Sequence, residues 1–121
     1  MSADRSPQAD CLFCRIVAGE IPSRNVAEDD LLVAFHDIAP RSPTHILVVP
    51  KAHIPSAADL TEEDGPILGR LFATAAAIAR DQGIAEQGYR IVTNVGRWGG
   101  QSVDHLHLHL MGGRAFDWPP G

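Results

Sequence analysis

The chain has 121 residues and a formal net charge of −5, with 45% hydrophobic and 21% charged residues. This composition is typical of a soluble globular domain, and no segment approaches the roughly 20 apolar residues of a membrane span. A general nucleic-acid binder needs a basic surplus, so we expect neither nucleic acid nor a membrane as a partner. Because the polar opening segment lacks the apolar stretch of a signal peptide, we expect a cytoplasmic protein.

We expect the chain to divide into a flexible N-terminal tail, residues 1–10, and one domain, residues 11–121. The domain is expected to open with a short helix in "CLFCRIVAGE", which ends at Gly19. The segment "NVAEDDLLVAFHDI" predicts a hairpin, with its acidic residues in the turn and a strand over 32–36. The first elements are therefore one helix and two strands.

A near-continuous apolar run in "PTHILVVPKAH" predicts a buried central strand over 46–49. Thr61 is expected to cap a long helix that ends near Gly83. Its apolar face recurs at helical spacing, at Ile67, Leu68, Leu71, Phe72, Ala75, Ile78 and Ala79. The segments "YRIVTNV" and "HLHLHLM" predict two further strands, so the order α-β-β-β-α-β-β indicates an α+β fold with a mostly antiparallel sheet.

Three histidines, His105, His107 and His109, alternate with leucines in "QSVDHLHLHLMGG". In a strand, the imidazoles take one face and the leucines take the other, core-facing side. Neighbouring histidines are then about 7 Å apart and the outer two about 13 Å apart, so one metal ion does not explain all three. A metal site for two of them and a solvated polar face are the alternatives to a row of reactive imidazoles.

The loop before these histidines, "GGQS", allows close backbone approach and offers amide and hydroxyl donors. Consecutive backbone N–H groups in such a loop can hold anionic oxygens, although an ordinary glycine-rich loop would look the same. Imidazole is both a nucleophile and a proton carrier near neutral pH. The middle imidazole, His107, is flanked on both sides, and this favours it as a nucleophile toward phosphorus.

These motifs resemble the histidine triad (HIT) family of nucleotide hydrolases and transferases, whose signature alternates histidine with apolar residues as in "HLHLHLM". The match runs from Cys11 to the C-terminus, and "GGQSVDHLHLHLMGGRAFDWPPG" is similar to the Hint branch. The resemblance implies a HIT-like fold with a five-stranded sheet, one long helix and one short helix. It also implies a homodimer that continues the sheet between subunits, with Trp118 reaching the partner's site.

The activity implied by this resemblance is that of a purine nucleoside phosphoramidase, which cleaves the P–N bond of adenosine or guanosine 5′-monophosphoramidates. By this likeness His107 carries the nucleotidyl group, His109 contacts the phosphate, and His45 and Ser102 complete the catalytic group. Asp37 matches the residue that binds the ribose hydroxyls. The implied nucleotide site comprises Leu12, Phe13, Ile16, Ile21, Phe35, Asp37, Ile38, Asn94, Gly100, Gln101, Ser102, His107 and His109.

Two cysteines, Cys11 and Cys14, have the Cys-x-x-Cys spacing. The resemblance implies a structural zinc ion held by these thiolates with His53 and His105, a closed tetrahedral set. The alternative is a pair of buried reduced thiols, with the two histidines hydrogen-bonded to each other.

Two further functions remain open, a dinucleoside polyphosphate hydrolase and a regulatory module that binds nucleotides. The residues Arg97 and Trp98, before the double glycine, depart from the small or polar residues that the family often has there.

Overall fold

The computed structural model describes residues 4–121 and contains one antiparallel sheet. Its strands follow the order β1-β2-β3-β5-β4, which places β3 at the centre and β1 and β4 at the edges. The elements are α1 (Leu12–Val17), β1 (Asn25–Glu28), β2 (Leu32–His36), β3 (Thr44–Pro50), α2 (Gly65–Asp81), β4 (Arg90–Val92) and β5 (Leu108–Gly112). Two single turns of 3₁₀ helix, Ala57–Asp59 and Glu62–Asp64, precede α2. The predicted α+β class and element order are confirmed.

Helices cover both faces of the sheet, which explains the apolar run of β3. Alternate residues of this strand, such as Ile46 and Val48, belong to the core beneath α2. The intervening residues, Leu47 and Val49, pack with Phe13 and Cys14 of α1 and with its N-cap, Cys11. A strand buried on both faces must be apolar at nearly every position.

The histidine segment keeps its predicted alternation, although only His109 lies within a strand. Leu106, Leu108 and Leu110 all belong to the core beneath α2. The strand β5 begins at Leu108, so the prediction of one strand carrying all three histidines was wrong. His105 and His107 precede β5, where the backbone is free to bond with side chains instead of a neighbouring strand. The segment "YRIVTNV" likewise forms only the three residues of β4.

The long helix differs from its prediction at its start and on one face. Thr61 precedes a 3₁₀ turn rather than α2 itself, and its backbone N–H donates to Asp64 Oδ2 at 2.9 Å. Leu71, Ala75 and Ile78 are buried as expected, but Phe72 is 47% exposed in the single chain. Among residues 4–121, no helix combines the length and apolar character needed to cross a membrane.

The segment before Cys11, expected to be a flexible tail, contacts the domain at Arg5. The Arg5 guanidinium donates to both carboxylate oxygens of Asp64, at 2.6 and 3.1 Å. The Arg5 carbonyl accepts from the backbone N–H of His53 at 2.9 Å. These contacts attach the segment both to the turn before α2 and to the loop that carries His53. The domain boundary at residue 11 stays a prediction.

The Arg5–Asp64 pair gives a test of stability against pH. Hydrogen bonds from Arg5 and from the Thr61 backbone lower the pKa of Asp64 from 3.8 to about 2. A lowered carboxyl pKa stabilises the fold above the unfolded-state value, and that stability is lost as pH falls through the folded-state value. We therefore expect Asp64→Asn to lower Tm at pH 7, and the difference from wild type to shrink between pH 4 and pH 2. An equal difference at pH 7 and pH 2 would contradict this assignment.

Candidate active site

A cleft on the α1 side of the sheet brings together most of the predicted nucleotide site. It has a volume of about 210 Å³, and its lining is mainly apolar. The predicted residues that line it are Leu12, Phe13, Ile16, Ile21, Phe35, Asp37, Ile38, Ser102, His107 and His109. Sequence reasoning missed Pro22, Ser23, His36, Leu47 and Val103, which also line it. Leu47 could have been found, because it shares the strand face of His45.

His107 is held in one orientation by its backbone and by an aromatic ring. Its Nδ1 lies 2.7 Å from the carbonyl oxygen of His105. A carbonyl can only accept, so Nδ1 carries the proton and Nε2 keeps its lone pair. The ring of Phe13 meets the imidazole edge-to-face, with centroids 5.0 Å apart. Burial lowers the pKa of His107, so that the imidazole stays neutral at physiological pH.

His45 and His109 belong to a series of hydrogen bonds that starts at a backbone amide. The N–H of Arg41 donates to His45 Nδ1 at 3.0 Å, so a neutral His45 carries its proton on Nε2. That Nε2 lies 2.9 Å from His109 Nδ1 and donates to it. The proton of His109 is therefore on Nε2, a donor suited to a phosphoryl oxygen.

The imidazoles of His45 and His109 are both neutral at physiological pH. Burial, followed by the neighbouring His107 and His45, lowers the pKa of His109 to about 4. Burial also lowers the pKa of His45, although the Asp37 carboxylate opposes this shift. His109 can therefore act as an uncharged hydrogen-bond donor.

The predicted phosphate loop is shaped by its own side chains. Gln101 donates to the carbonyls of Pro55 and Val103, at 2.7 and 3.0 Å, and accepts from Gly96 N–H. Asn94 donates to the carbonyl of Gly99 at 2.7 Å. None of Asn94, Gly100 and Gln101 lines the cleft. Their contact with a nucleotide stays a prediction.

Two glycines let this loop turn tightly, and the neighbouring Trp98 extends into solvent. A Cβ on Gly99 would lie 2.2 Å from the carbonyl oxygen of Val95, and Gly100 has a φ of +81°. Trp98 is 95% exposed and Arg97 is also exposed.

A second cluster, Cys11, Cys14, His53 and His105, lies next to the cleft and is close enough to bind a metal ion. The four ligand atoms all lie within 4.8 Å of one another. His105 Nδ1 is 3.3 Å from Cys11 Sγ, and His53 Nδ1 is 3.3 Å from Cys14 Sγ. His105 Nε2 donates to the carbonyl of Pro50 at 2.8 Å, which leaves Nδ1 unprotonated toward the sulfurs. Each imidazole faces a thiol, whereas the metal-free alternative predicted a bond between the imidazoles.

Comparison with known proteins identifies the family. The HIT domain family model matches residues 18–116. The chain is 50% identical over 103 residues to the purine nucleoside phosphoramidase of Escherichia coli K12, covering 85% of this chain and 87% of that protein. It is 48% identical to the HIT family hydrolase of Legionella pneumophila, with a TM-score of 0.91 and coverage of 93% and 100%. A histidine triad protein from Clostridium difficile is 41% identical, with a TM-score of 0.89 and coverage of 93% and 97%.

The chain therefore belongs to the HIT family, as the sequence motifs indicated. Its fold agrees with these structures along nearly the whole of the chain.

Proposed function

We propose that this protein is a purine nucleoside phosphoramidase that hydrolyses the P–N bond of adenosine or guanosine 5′-monophosphoramidates. The observation that carries the proposal is the orientation of His107. Its Nδ1 is bonded to the His105 carbonyl, so the nucleophilic Nε2 remains available in the cleft. The similarity to the phosphoramidase of Escherichia coli supports the same assignment.

The cleft provides separate places for the parts of a nucleotide. The base fits among apolar side chains, including Phe13 and Ile16, at one end. The ribose diol pairs with the Asp37 carboxylate, which can accept a hydrogen bond on each oxygen. The phosphate then lies at His107, His109 and Ser102, where the Nε2–H of His109 donates to a phosphoryl oxygen.

The reaction proceeds in two displacements at phosphorus. His107 Nε2 attacks, the P–N bond to the leaving amine breaks, and the amine keeps the electron pair and takes a proton from water. A water oxygen then attacks the phosphorus of the nucleotidyl-histidine, and the P–Nε2 bond breaks with its electron pair returning to Nε2. The proton of the attacking water neutralises the hydroxide left by the first step, and the nucleoside monophosphate is released. A covalent intermediate divides one difficult displacement into two easier ones.

We further propose that the cysteine cluster holds a structural zinc ion. Two sulfurs and two imidazole nitrogens form the tetrahedral set that zinc prefers, and the close S–N spacings fit such a set. All four protein ligands are used in this arrangement, so the zinc supplies stability and no open coordination position.

A homodimer that continues the sheet is also part of this proposal. Strand β4 is a sheet edge, and Phe72 exposes a large apolar surface on α2. An unpaired edge strand and an exposed aromatic side chain are features that a partner subunit would cover.

The substrate class is tested by comparing two reactions under the same conditions. We expect kcat/KM for adenosine 5′-phosphoramidate to exceed that for diadenosine tetraphosphate by at least about 100-fold, because the cleft volume suits one nucleoside. The reverse order would favour the dinucleoside polyphosphate hydrolase. Tight binding of AMP without turnover of either compound would favour the regulatory module.

A further inference from the structure

The segment before α1, residues 4–10, is hydrogen-bonded to two of the four residues of the cysteine cluster. The backbone N–H of His53 donates to the carbonyl of Arg5 at 2.9 Å, and that of Cys11 donates to the carbonyl of Gln8 at 3.0 Å. These two cluster residues lie far apart in the chain. One short segment therefore joins their backbones to each other, and it does so without a metal ion.

The segment is itself attached to the domain through a buried carboxylate. The Arg5 guanidinium donates to both oxygens of Asp64, at 2.6 and 3.1 Å, and the Asp64 side chain is only 8% exposed. A bidentate bond between arginine and carboxylate fixes direction as well as distance. Within the segment, the Asp4 carboxylate accepts from the backbone N–H and the hydroxyl of Ser6, at 2.9 and 2.6 Å. Arg5 is thus the residue that anchors an ordered segment to the turn before α2.

His53 is the least buried member of the cluster. Cys11, Cys14 and His105 are buried, whereas His53 is half-buried. A cavity of about 510 Å³ is lined by His53 and Cys11, together with Gln8 of the segment. Solvent therefore reaches the cluster from this side, and His53 is the ligand best placed to detach first from a bound metal ion.

We propose that Arg5 is a positioning residue for the metal site, an inference that rests on the proposed zinc ion. Asp64 fixes the Arg5 side chain, and the Arg5 carbonyl in turn fixes the backbone of His53. The imidazole is thus held toward the Cys14 sulfur before any metal binds. Freedom that a ligand has already lost is not lost again on binding, which favours the bound state. Without this anchor His53 detaches more often, and the zinc ion is released faster.

A purely structural role of the Arg5–Asp64 pair is the competing interpretation. Asp64 also accepts from the backbone N–H of Thr61 and lies directly before α2, so this interpretation assigns the pair to the stability of the helix alone. A pair with that role needs no contact with the cluster, yet the Arg5 carbonyl bonds to His53. Both interpretations predict a lower Tm for Arg5→Ala, but only positioning predicts faster release of zinc.

The rate of zinc release tests the inference. Zinc-loaded wild type, Arg5→Ala and Arg5→Lys are mixed with an excess of a chromogenic chelator, and metal transfer is followed by absorbance. We expect release to be about 10-fold faster in Arg5→Ala, because removal of a residue that supports a metal ligand typically weakens binding by this factor or more. Lysine keeps the charge but not the bidentate bond to Asp64, so the rate for Arg5→Lys should lie between the other two.

Arg70→Ala is the matched control, because it removes a different ion pair of α2. Arg70 pairs with Asp29, and this pair includes no residue of the segment or of the cluster. We expect zinc release from this variant to equal that of wild type, even where its Tm is lower. Release from Arg5→Ala no faster than from Arg70→Ala would overturn the inference alone. Wild type that contains no zinc and takes none up from a zinc salt would overturn the proposed zinc site, and this inference with it.

Discussion

Replacing His107 by alanine is expected to lower kcat for adenosine 5′-phosphoramidate by at least about 1,000-fold. Removal of a nucleophile eliminates the covalent route, and losses of this size or larger are typical. The carbonyl of His105 and the ring of Phe13 already hold His107 in the orientation that the proposed attack requires. The neighbouring His109 is oriented differently, since its Nε2 presents a proton where His107 presents a lone pair.

His107→Asn is the matched control for this experiment. Its amide N–H can replace the Nδ1–H bond to the His105 carbonyl, but asparagine lacks the nucleophilic nitrogen. We expect the asparagine variant to keep the wild-type Tm within about 2 °C and to be as inactive as the alanine variant. Wild type quenched with denaturant at alkaline pH, where the P–N bond survives, should carry a nucleotidyl adduct on His107 that both variants lack. Activity in His107→Asn above about one tenth of the wild-type kcat would contradict the assignment of the nucleophile.

The alternation of histidine and leucine was sufficient to predict which side chains face the core. It holds because Leu106, Leu108 and Leu110 all enter the same core, although β5 starts only at Leu108. The apolar run of β3 likewise predicted a central strand, since only burial on both faces requires apolar residues throughout.

The arrangement of protons in the site could not be predicted from the sequence. It depends on backbone groups, the carbonyl of His105 and the amide of Arg41, and these carry no signal in residue type. Gln101 was predicted as a phosphate donor because its amide suits that task. Its hydrogen bond to the Pro55 carbonyl depends on how two distant segments meet.

His105 connects the cysteine cluster to the proposed reaction centre. Its imidazole faces the two thiols, and its carbonyl orients His107. The helix α1 has the same double role, because it carries Cys14 and also the cleft residue Phe13. The contacts that stabilise this cluster therefore also position the proposed nucleophile, His107, and one wall of the cleft.

Loss of the proposed zinc is consequently expected to have a large effect on stability. We expect Cys14→Ser to lower the free energy of unfolding by about 2–4 kcal/mol and Tm by roughly 8–15 °C, because one thiolate ligand is lost. Protein purified without chelator should contain about one zinc per chain by metal analysis, and Cys14→Ser should contain far less.

A chelator separates the metal from the packing of the thiol. EDTA should lower the Tm of wild type toward that of Cys14→Ser and leave the variant unchanged, because only a loaded site has a metal to lose. Serine in place of a buried cysteine also alters packing, but that cost is the same with and without EDTA. If wild type holds far less than one zinc per chain and Cys14→Ser keeps its Tm, the cluster is a pair of reduced thiols. His105 would then be held by the Pro50 carbonyl at its Nε2 and by a thiol hydrogen bond at its Nδ1.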